Sequence, residues 1–163
     1  MGGGVRIARP NYPKIISENR SLNGQKKLDD NSKIGLPKKR VFISFHMNNE
    51  SQIKLLRHQA RSEKFNLEFT DYSVKQPFDK NWKARCEERI RQSSVVVCMI
   101  GSETYKRPAV LWELNKAYEM GKRVIGVKIH KNRKDPIPGP LRRNKAEIVN
   151  WDLKDLQRKL DED

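Results

Sequence analysis

The chain has 163 residues, a formal net charge of +15, and nearly equal hydrophobic (36%) and charged (34%) fractions. That length suits one domain with an extension better than two full domains. No stretch is apolar enough to span a membrane and no secretory signal is present, so we expect a cytoplasmic protein. Two cysteines, Cys86 and Cys98, are too few for a disulfide framework or a metal cluster, and the histidines lack a second ligand at metal spacing. We therefore expect two reduced core thiols and no metal.

Residues 1–38 are predicted to be a flexible, basic N-terminal extension. Residues 1–40 hold ten Lys or Arg against three acidic residues, and they include several Gly and Pro but few apolar runs. Such a segment is expected to be largely disordered or to order on a partner. A basic arm also suits nucleic acid, but no aromatic residues alternate with the charges in a stacking pattern. Nucleic-acid binding is therefore kept only as a minor alternative.

Residues 39–163 show strand-like apolar runs that alternate with helix-like segments. We predict strands at 40–45, 66–71, 94–101, 123–130 and 146–150, and helices at 50–64, 81–92, 108–120 and 152–160. The third run is the most apolar, which indicates the centre of the sheet, and residues 131–140 are expected to form a proline-interrupted loop. Strands alternating with helices predict an α/β, flavodoxin-like, three-layer domain with a parallel sheet in the order 2-1-3-4-5.

Three residues set the expected helix ends. Pro108 suits the first turn of the third helix, where its missing N–H is not needed, and Gly121 suits the residue after that helix. Asp152 is the expected N-cap of the last helix, because its carboxylate can accept from the free N–H groups of the first turn.

Several kinds of site are excluded by the residues that follow the predicted strands. The first strand is followed by neither a G-x-G-x-x-G turn nor a G-x-x-x-x-G-K-[ST] loop, so Rossmann and P-loop phosphate sites are absent. The Ser, Thr and Gly residues of a flavin-phosphate loop are also missing there. A phospho-acceptor receiver would need an acidic pair after the first strand and an Asp after the third, and neither is present.

The side chains that remain at the strand ends are candidates for a site, because ligands of such sheets bind beyond the carboxyl ends of the strands. They are Phe45 and His46 after the first strand, Asp71 and Tyr72 after the second, Ser102 after the third, and Trp112 and Glu113 on the following helix. One carboxylate beside aromatic rings suits a reaction through an oxocarbenium-like sugar centre. The alternative is that Glu113 is an ordinary solvated residue paired with the helix dipole.

Four segments in register carry a family resemblance: Val-Phe-Ile-Ser-Phe-His at 41–46, Ser-Val-Val-Val-Cys-Met-Ile-Gly-Ser-Glu-Thr at 94–104, Trp-Glu-Leu at 112–114, and Gly-Lys-Arg-Val-Ile-Gly-Val-Lys-Ile-His at 121–130. Together they resemble the TIR-like domain of bacterial Thoeris antiphage systems, over roughly residues 39–140. The resemblance implies a TIR-type fold that cleaves NAD at the nicotinamide–ribose bond. It also implies a cyclic or conjugated ADP-ribose product that activates a separate effector.

The same resemblance assigns roles to particular residues. Glu113 is implied to be the catalytic glutamate, and Phe45 and His46 to line the nicotinamide side. Asp71 and the loop through Phe78 and Asp79 are implied to form a lid, with Trp82 just beyond it. Relatives often carry a Trp near the position of Ala109, whereas this chain has Trp112 directly before the glutamate.

The implied partners are NAD, which is a substrate and not a cofactor, and other TIR domains with which the chain would associate. Neither a membrane nor nucleic acid is expected as a partner. The alternative function is a non-catalytic TIR-like scaffold that acts by protein–protein association. Substitution of Glu113 separates the two hypotheses, because a scaffold does not need the carboxylate.

Overall fold

The structure is a computed structural model, which describes residues 38–62, 65–70 and 80–162. The predicted extension therefore lies outside the described residues, apart from Lys38. The strands are β1 (Lys39–Ser44), β2 (Leu67–Thr70), β3 (Val95–Ile100), β4 (Arg123–Lys128) and β5 (Glu147–Asn150). The α-helices are α1 (Glu50–Ser62), α2 (Trp82–Gln92), α3 (Pro108–Glu119), α4 (Gly139–Arg143) and α5 (Leu153–Asp161). Short 3-10 turns follow β1 at Met47–Asn49 and β3 at Thr104–Lys106.

The five strands form one parallel sheet in the order β2-β1-β3-β4-β5. This confirms the predicted fold and strand order. All six residues of β3 are buried, as expected for a central strand covered on both faces. The chain winds outward in opposite directions from β1 and from β3, so a crevice opens between the carboxyl ends of these two strands.

The two faces of the sheet pack against different helices. Alternate side chains of a strand point to opposite faces, so Val41 and Ile43 of β1 pack with α1 and α5, while Phe42 packs with α2 and α3. The short helix α4 adds Leu141 to the second face. Helix α3, which carries Glu113, therefore lies on the same face as α2.

The ends of α3 and α5 follow the expected chemistry. Pro108 occupies the first turn of α3, and Gly121 has a φ of +66°, in the left-handed region that glycine adopts without strain. Asp152 caps α5, because its Oδ1 accepts hydrogen bonds from the backbone N–H groups of Lys154 and Asp155 at 2.8 and 3.1 Å. Within the described ranges, no helix has both the length and the apolar composition needed to cross a bilayer.

One short helix was not predicted. The sequence indicates a loop over 131–140, but α4 begins inside it, at Gly139. Pro140 occupies the first turn of α4, where a proline breaks no hydrogen bond, and the burial of Leu141 against the sheet stabilises this single turn. Glycine and proline therefore mark the start of a helix here instead of a continuing loop.

Candidate functional site

Glu113 lies in the buried side of α3, among apolar residues. Val110, Leu114 and Ala117 form the stripe of α3 that packs on the sheet, and Glu113 falls within the same stripe. The side chain of Glu113 is only 4% exposed. A buried carboxylate is rare unless it is hydrogen-bonded, so its partners decide what it can do.

The principal partner of Glu113 is Ser44, the last residue of β1. The Ser44 hydroxyl is fully buried and donates a hydrogen bond of 2.5 Å to Glu113 Oε2. Ser44 pairs in register with Cys98 of β3, so this hydrogen bond lies where the carboxyl ends of β1 and β3 run side by side. The predicted catalytic glutamate and the predicted crevice are thus brought together.

Burial raises the pKa of Glu113 to about 7, while hydrogen bonds from Ser44 and from the Cys86 thiol act in the opposite direction. A carboxylate in this state exchanges between its protonated and ionised forms near neutral pH. Burial, and secondarily the charge of Glu113, raises the pKa of the neighbouring Cys98 thiol, which therefore stays protonated. Both cysteines are buried and neither forms a disulfide, as predicted.

Two tryptophans pack together on the helices that carry Cys86 and Glu113. The rings of Trp82 and Trp112 meet edge to face, with centroids 5.1 Å apart and an angle of 67° between the planes. Trp112 is the neighbour of Glu113 in sequence, and Trp82 lies one turn before Cys86 on α2. Lys83 Nζ lies 5.9 Å from the Trp82 centroid and 5.7 Å from the Trp112 centroid. Both predicted tryptophans and a cation therefore lie together on α2 and α3, the helices that carry Cys86 and Glu113.

Three other residues of the predicted site lie at different places in the fold. Phe45 is partly buried against the cluster under α1 and α5, on the opposite face of the sheet from Glu113. His46 lies two residues after β1. Its pKa is lowered by burial and by the charges of Arg107 and Lys106 in the turn after β3, while the charge of Glu103 acts in the opposite direction. Ser102 is exposed in that same turn.

Three predicted residues, Asp71, Tyr72 and Phe78, lie outside the described residues, as does Asp79 of the predicted lid. In the part of the chain that is described, no group of three or more His, Cys, Asp or Glu side chains could hold a metal ion.

Sequence reasoning did not identify Ser44 and Cys86 as parts of the site. A signal for Ser44 exists, because it is a polar residue in a strand buried on both faces, two positions after Phe42 and so on the same face. For Cys86 no such signal exists, since a buried thiol on a helix stripe is typical of an ordinary core residue.

Comparison with solved structures supports the fold. The TIR domain of a Toll-related receptor from Hydra magnipapillata is 15% identical with a TM-score of 0.54, covering 74% of this chain and 93% of that one. A conserved protein from Enterococcus faecalis is 12% identical with a TM-score of 0.50, over 75% and 96% of the two chains. A CMP N-glycosidase from Clostridium botulinum is 19% identical over 76% and 98%, but its TM-score of 0.49 is too low to support an inference.

Sequence comparison identifies the family. No curated protein is similar to the chain. Residues 42–134, more than half of the sequence, match the family described as Thoeris protein ThsB, TIR-like domain, which confirms the resemblance seen in the four sequence segments. The chain therefore belongs to the TIR-like domain family of the Thoeris protein ThsB.

Proposed function

We propose that this protein cleaves NAD at the nicotinamide–ribose bond and produces a cyclic or conjugated ADP-ribose signal in antiphage defence. The observation that carries the proposal is the buried Glu113 carboxylate, which accepts a hydrogen bond from Ser44 at the carboxyl ends of β1 and β3. Its position in the chain is also the one that the family resemblance implies for a catalytic glutamate.

Cleavage of the nicotinamide–ribose bond requires only one carboxylate. The bond to be broken joins C1′ of the ribose to the positively charged ring nitrogen of nicotinamide. When it breaks, the electron pair goes to that nitrogen, so nicotinamide leaves as a neutral molecule and needs no general acid. Positive charge develops on C1′ and on the ring oxygen, where ionised Glu113 would stabilise it. Attack by water gives ADP-ribose, and attack by another nucleophile gives a cyclic or conjugated product.

The aromatic pair supports a role in binding. A base or a nicotinamide ring can stack on Trp82 or Trp112, which are both half-buried on the helices that carry Cys86 and Glu113. We also propose that Asp71, Tyr72 and Phe78 contact the substrate from the segment after β2. Because Glu113 is 4% exposed, the side chains around it must move before it touches the ribose. This requirement fits an enzyme that becomes active on infection or on association with other TIR domains, and whose product activates a separate effector.

The proposal is tested by incubating the purified protein with NAD, alone and with lysate from phage-infected cells, and measuring nicotinamide and products by mass spectrometry. Glu113→Gln is expected to lower the rate by roughly a hundredfold or more, as removal of a transition-state electrostatic partner does. Glu119→Gln is the matched control, since Glu119 lies on the same helix with its side chain 61% exposed. No turnover in any sample, with the protein folded, would favour the non-catalytic scaffold.

A pH profile adds a second test. If the ionised form of Glu113 is required, kcat/KM rises with pH and levels off above about 7, the pKa of the carboxyl in the free protein. The positively charged nicotinamide ring of bound NAD favours the ionised carboxylate, so kcat should level off at a lower pH than kcat/KM. A profile that falls across this range would contradict the assigned role.

A further inference from the structure

The turns after β1 and β3 meet over the crevice. A Cβ added to Gly101, directly after β3, would lie 3.0 Å from the amide nitrogen of the Asn49 side chain, which belongs to the turn after β1. Thr104 fixes the turn after β3, because its Oγ1 accepts from the Gly101 N–H at 2.9 Å and donates to the Met99 carbonyl at 3.2 Å. The residues that follow Thr104 are therefore held in place at the point where the winding direction of the sheet changes.

Those residues form a charged cluster. Glu103 pairs with Lys106 at 2.8 Å and with Arg107 at 3.0 Å, so one carboxylate faces two cations and an excess positive charge remains. The charges of these three side chains, from Glu103, Lys106 and Arg107, also act on His46, which lies two residues after β1. The cluster thus joins the two strand ends, and it is positive where phosphates bind in open α/β sheets.

Two polar atoms of this cluster have no hydrogen-bond partner among the described residues. They are Nε of Arg107 and Nε2 of His46, and both are shielded from solvent. Buried groups of this kind are uncommon and call for an explanation. Arg107 Nε can only donate, and His46 Nε2 donates in one of the two tautomers of imidazole. The oxygens of an anion can accept hydrogen bonds from both kinds of group.

We propose that His46, Lys106 and Arg107 bind the pyrophosphate of the dinucleotide substrate, an inference that rests on the proposed function. Arg107 precedes Glu113 by six residues, or about 9 Å along the helix axis. The phosphates of a dinucleotide whose nicotinamide ribose touches Glu113 can therefore reach Arg107, at the N-terminal end of the same helix. Helix α3 begins at Pro108 with no acidic residue in its first turn, so its dipole also favours an anion there. This assigns His46 to the phosphates instead of the nicotinamide side.

The test is direct binding, measured by titration calorimetry on the full chain with ADP-ribose, inorganic pyrophosphate and nicotinamide as separate probes. Arg107→Gln is expected to weaken binding of ADP-ribose and pyrophosphate at least tenfold and to leave nicotinamide binding unchanged. Arg107→Lys keeps the charge but loses Nε, so an intermediate loss is expected if that atom is used. Lys134→Gln is the matched control, because Lys134 is an exposed cation after the neighbouring strand β4.

Arg107 is also the residue that precedes α3, so the thermal unfolding of each variant is compared with that of the parent. If Arg107→Gln does not fold, Lys106→Gln tests the same cluster with a side chain on the surface, and a loss of pyrophosphate binding of threefold or more is expected. Equal affinities for parent and cluster variants, equal losses in Lys134→Gln, or no binding of either phosphate probe would overturn the proposal.

Cleavage of NAD is measured in the same samples. Cleavage that depends on Glu113, with no effect of Arg107→Gln on binding, would leave the proposed function standing without this phosphate site. Loss of pyrophosphate binding in Arg107→Gln, with no cleavage by any protein, would leave the phosphate site standing without that function.

Discussion

The two faces of the sheet differ in what their helices bury. On one face, β1 sends Val41 and Ile43 toward α1 and α5, and the residues that α1 buries are all apolar. On the other face, the same strand sends Phe42 and Ser44 toward α2 and α3, where Glu113 is buried as well. Apolar burial stabilises the fold, whereas a buried carboxylate opposes it. Both faces bury apolar side chains that stabilise the fold, but the face of α2 and α3 also buries a carboxylate that lowers its stability. We call the face of α1 and α5 the apolar face and the face of α2 and α3 the polar face, and substitutions can test this difference.

The largest expected effect is on the apolar face. Leu56 of α1 is fully buried, so Leu56→Ala should lower the free energy of unfolding by about 2–5 kcal/mol through lost transfer energy and a cavity. Nicotinamide release per folded molecule should not change. Chemical unfolding with parallel activity assays measures both quantities. Leu55→Ala, at a residue 49% exposed on the same helix, is the control and should change neither stability nor activity. A loss of specific activity in Leu56→Ala would contradict the separate roles of the two faces.

The next effect concerns the pH dependence of stability on the polar face. The folded pKa of Glu113, about 7, lies above its ordinary value of 4.5. Below that ordinary value both states are protonated and the full stability is present; as pH rises toward 7, only the unfolded state releases its proton. The free energy of unfolding should therefore fall by up to about 3 kcal/mol between pH 4.5 and 7.

Denaturant titrations of the parent and of Glu113→Gln at several pH values measure this fall as a difference between the two proteins. That difference is needed because Glu147, whose pKa is lowered chiefly by a hydrogen bond from Lys159, contributes in the opposite direction in both. Parallel pH curves for the two proteins would show that the Glu113 carboxyl does not titrate differently on folding.

A smaller effect is expected at Ser44. The hydrogen bond from Ser44 favours the ionised form of Glu113, so Ser44→Ala should raise the pKa of the carboxyl further above its ordinary value. The midpoint of the kcat/KM profile should move to higher pH by roughly one unit, equivalent to about 1.4 kcal/mol. Activity across pH 5–9 measures the shift. Ser44→Thr keeps the hydroxyl and should restore the parent midpoint, and an unchanged midpoint in Ser44→Ala would mean that the bond does not tune the carboxyl.

The smallest effect is expected at the cap of α5, on the apolar face. Asp152→Ala removes the acceptor of two backbone N–H groups and should lower stability by about 1 kcal/mol. The pH profile of cleavage should stay the same. Asp152→Asn keeps an acceptor and serves as the control; a shifted profile in Asp152→Ala would mean that the two faces are coupled.

Most of the fold could be predicted because the apolar runs match the strands closely. Helix α4 was missed, since a single turn that depends on the burial of Leu141 has no periodic pattern of its own. For the site, the sequence places Glu113 on a helix near the strand ends, but its contact with Ser44 depends on the lateral pairing of β1 with β3 and on the rotation of α3. Phe45 continues the alternation of side chains along β1, which places it on the opposite face of the sheet from Glu113. That alternation predicts the face of Phe45 only when the last residue of β1 is known.

The burial of Glu113 also bears on which oxidation state of the dinucleotide the protein would recognise. The pyridinium ring of NAD carries a positive charge that compensates an ionised carboxylate, whereas the reduced ring of NADH is neutral and leaves the carboxylate uncompensated in an apolar surrounding. The oxidised form would therefore bind better, and increasingly so as pH rises. If the protein cleaves NAD as proposed, its rate would therefore follow the oxidised fraction of the dinucleotide.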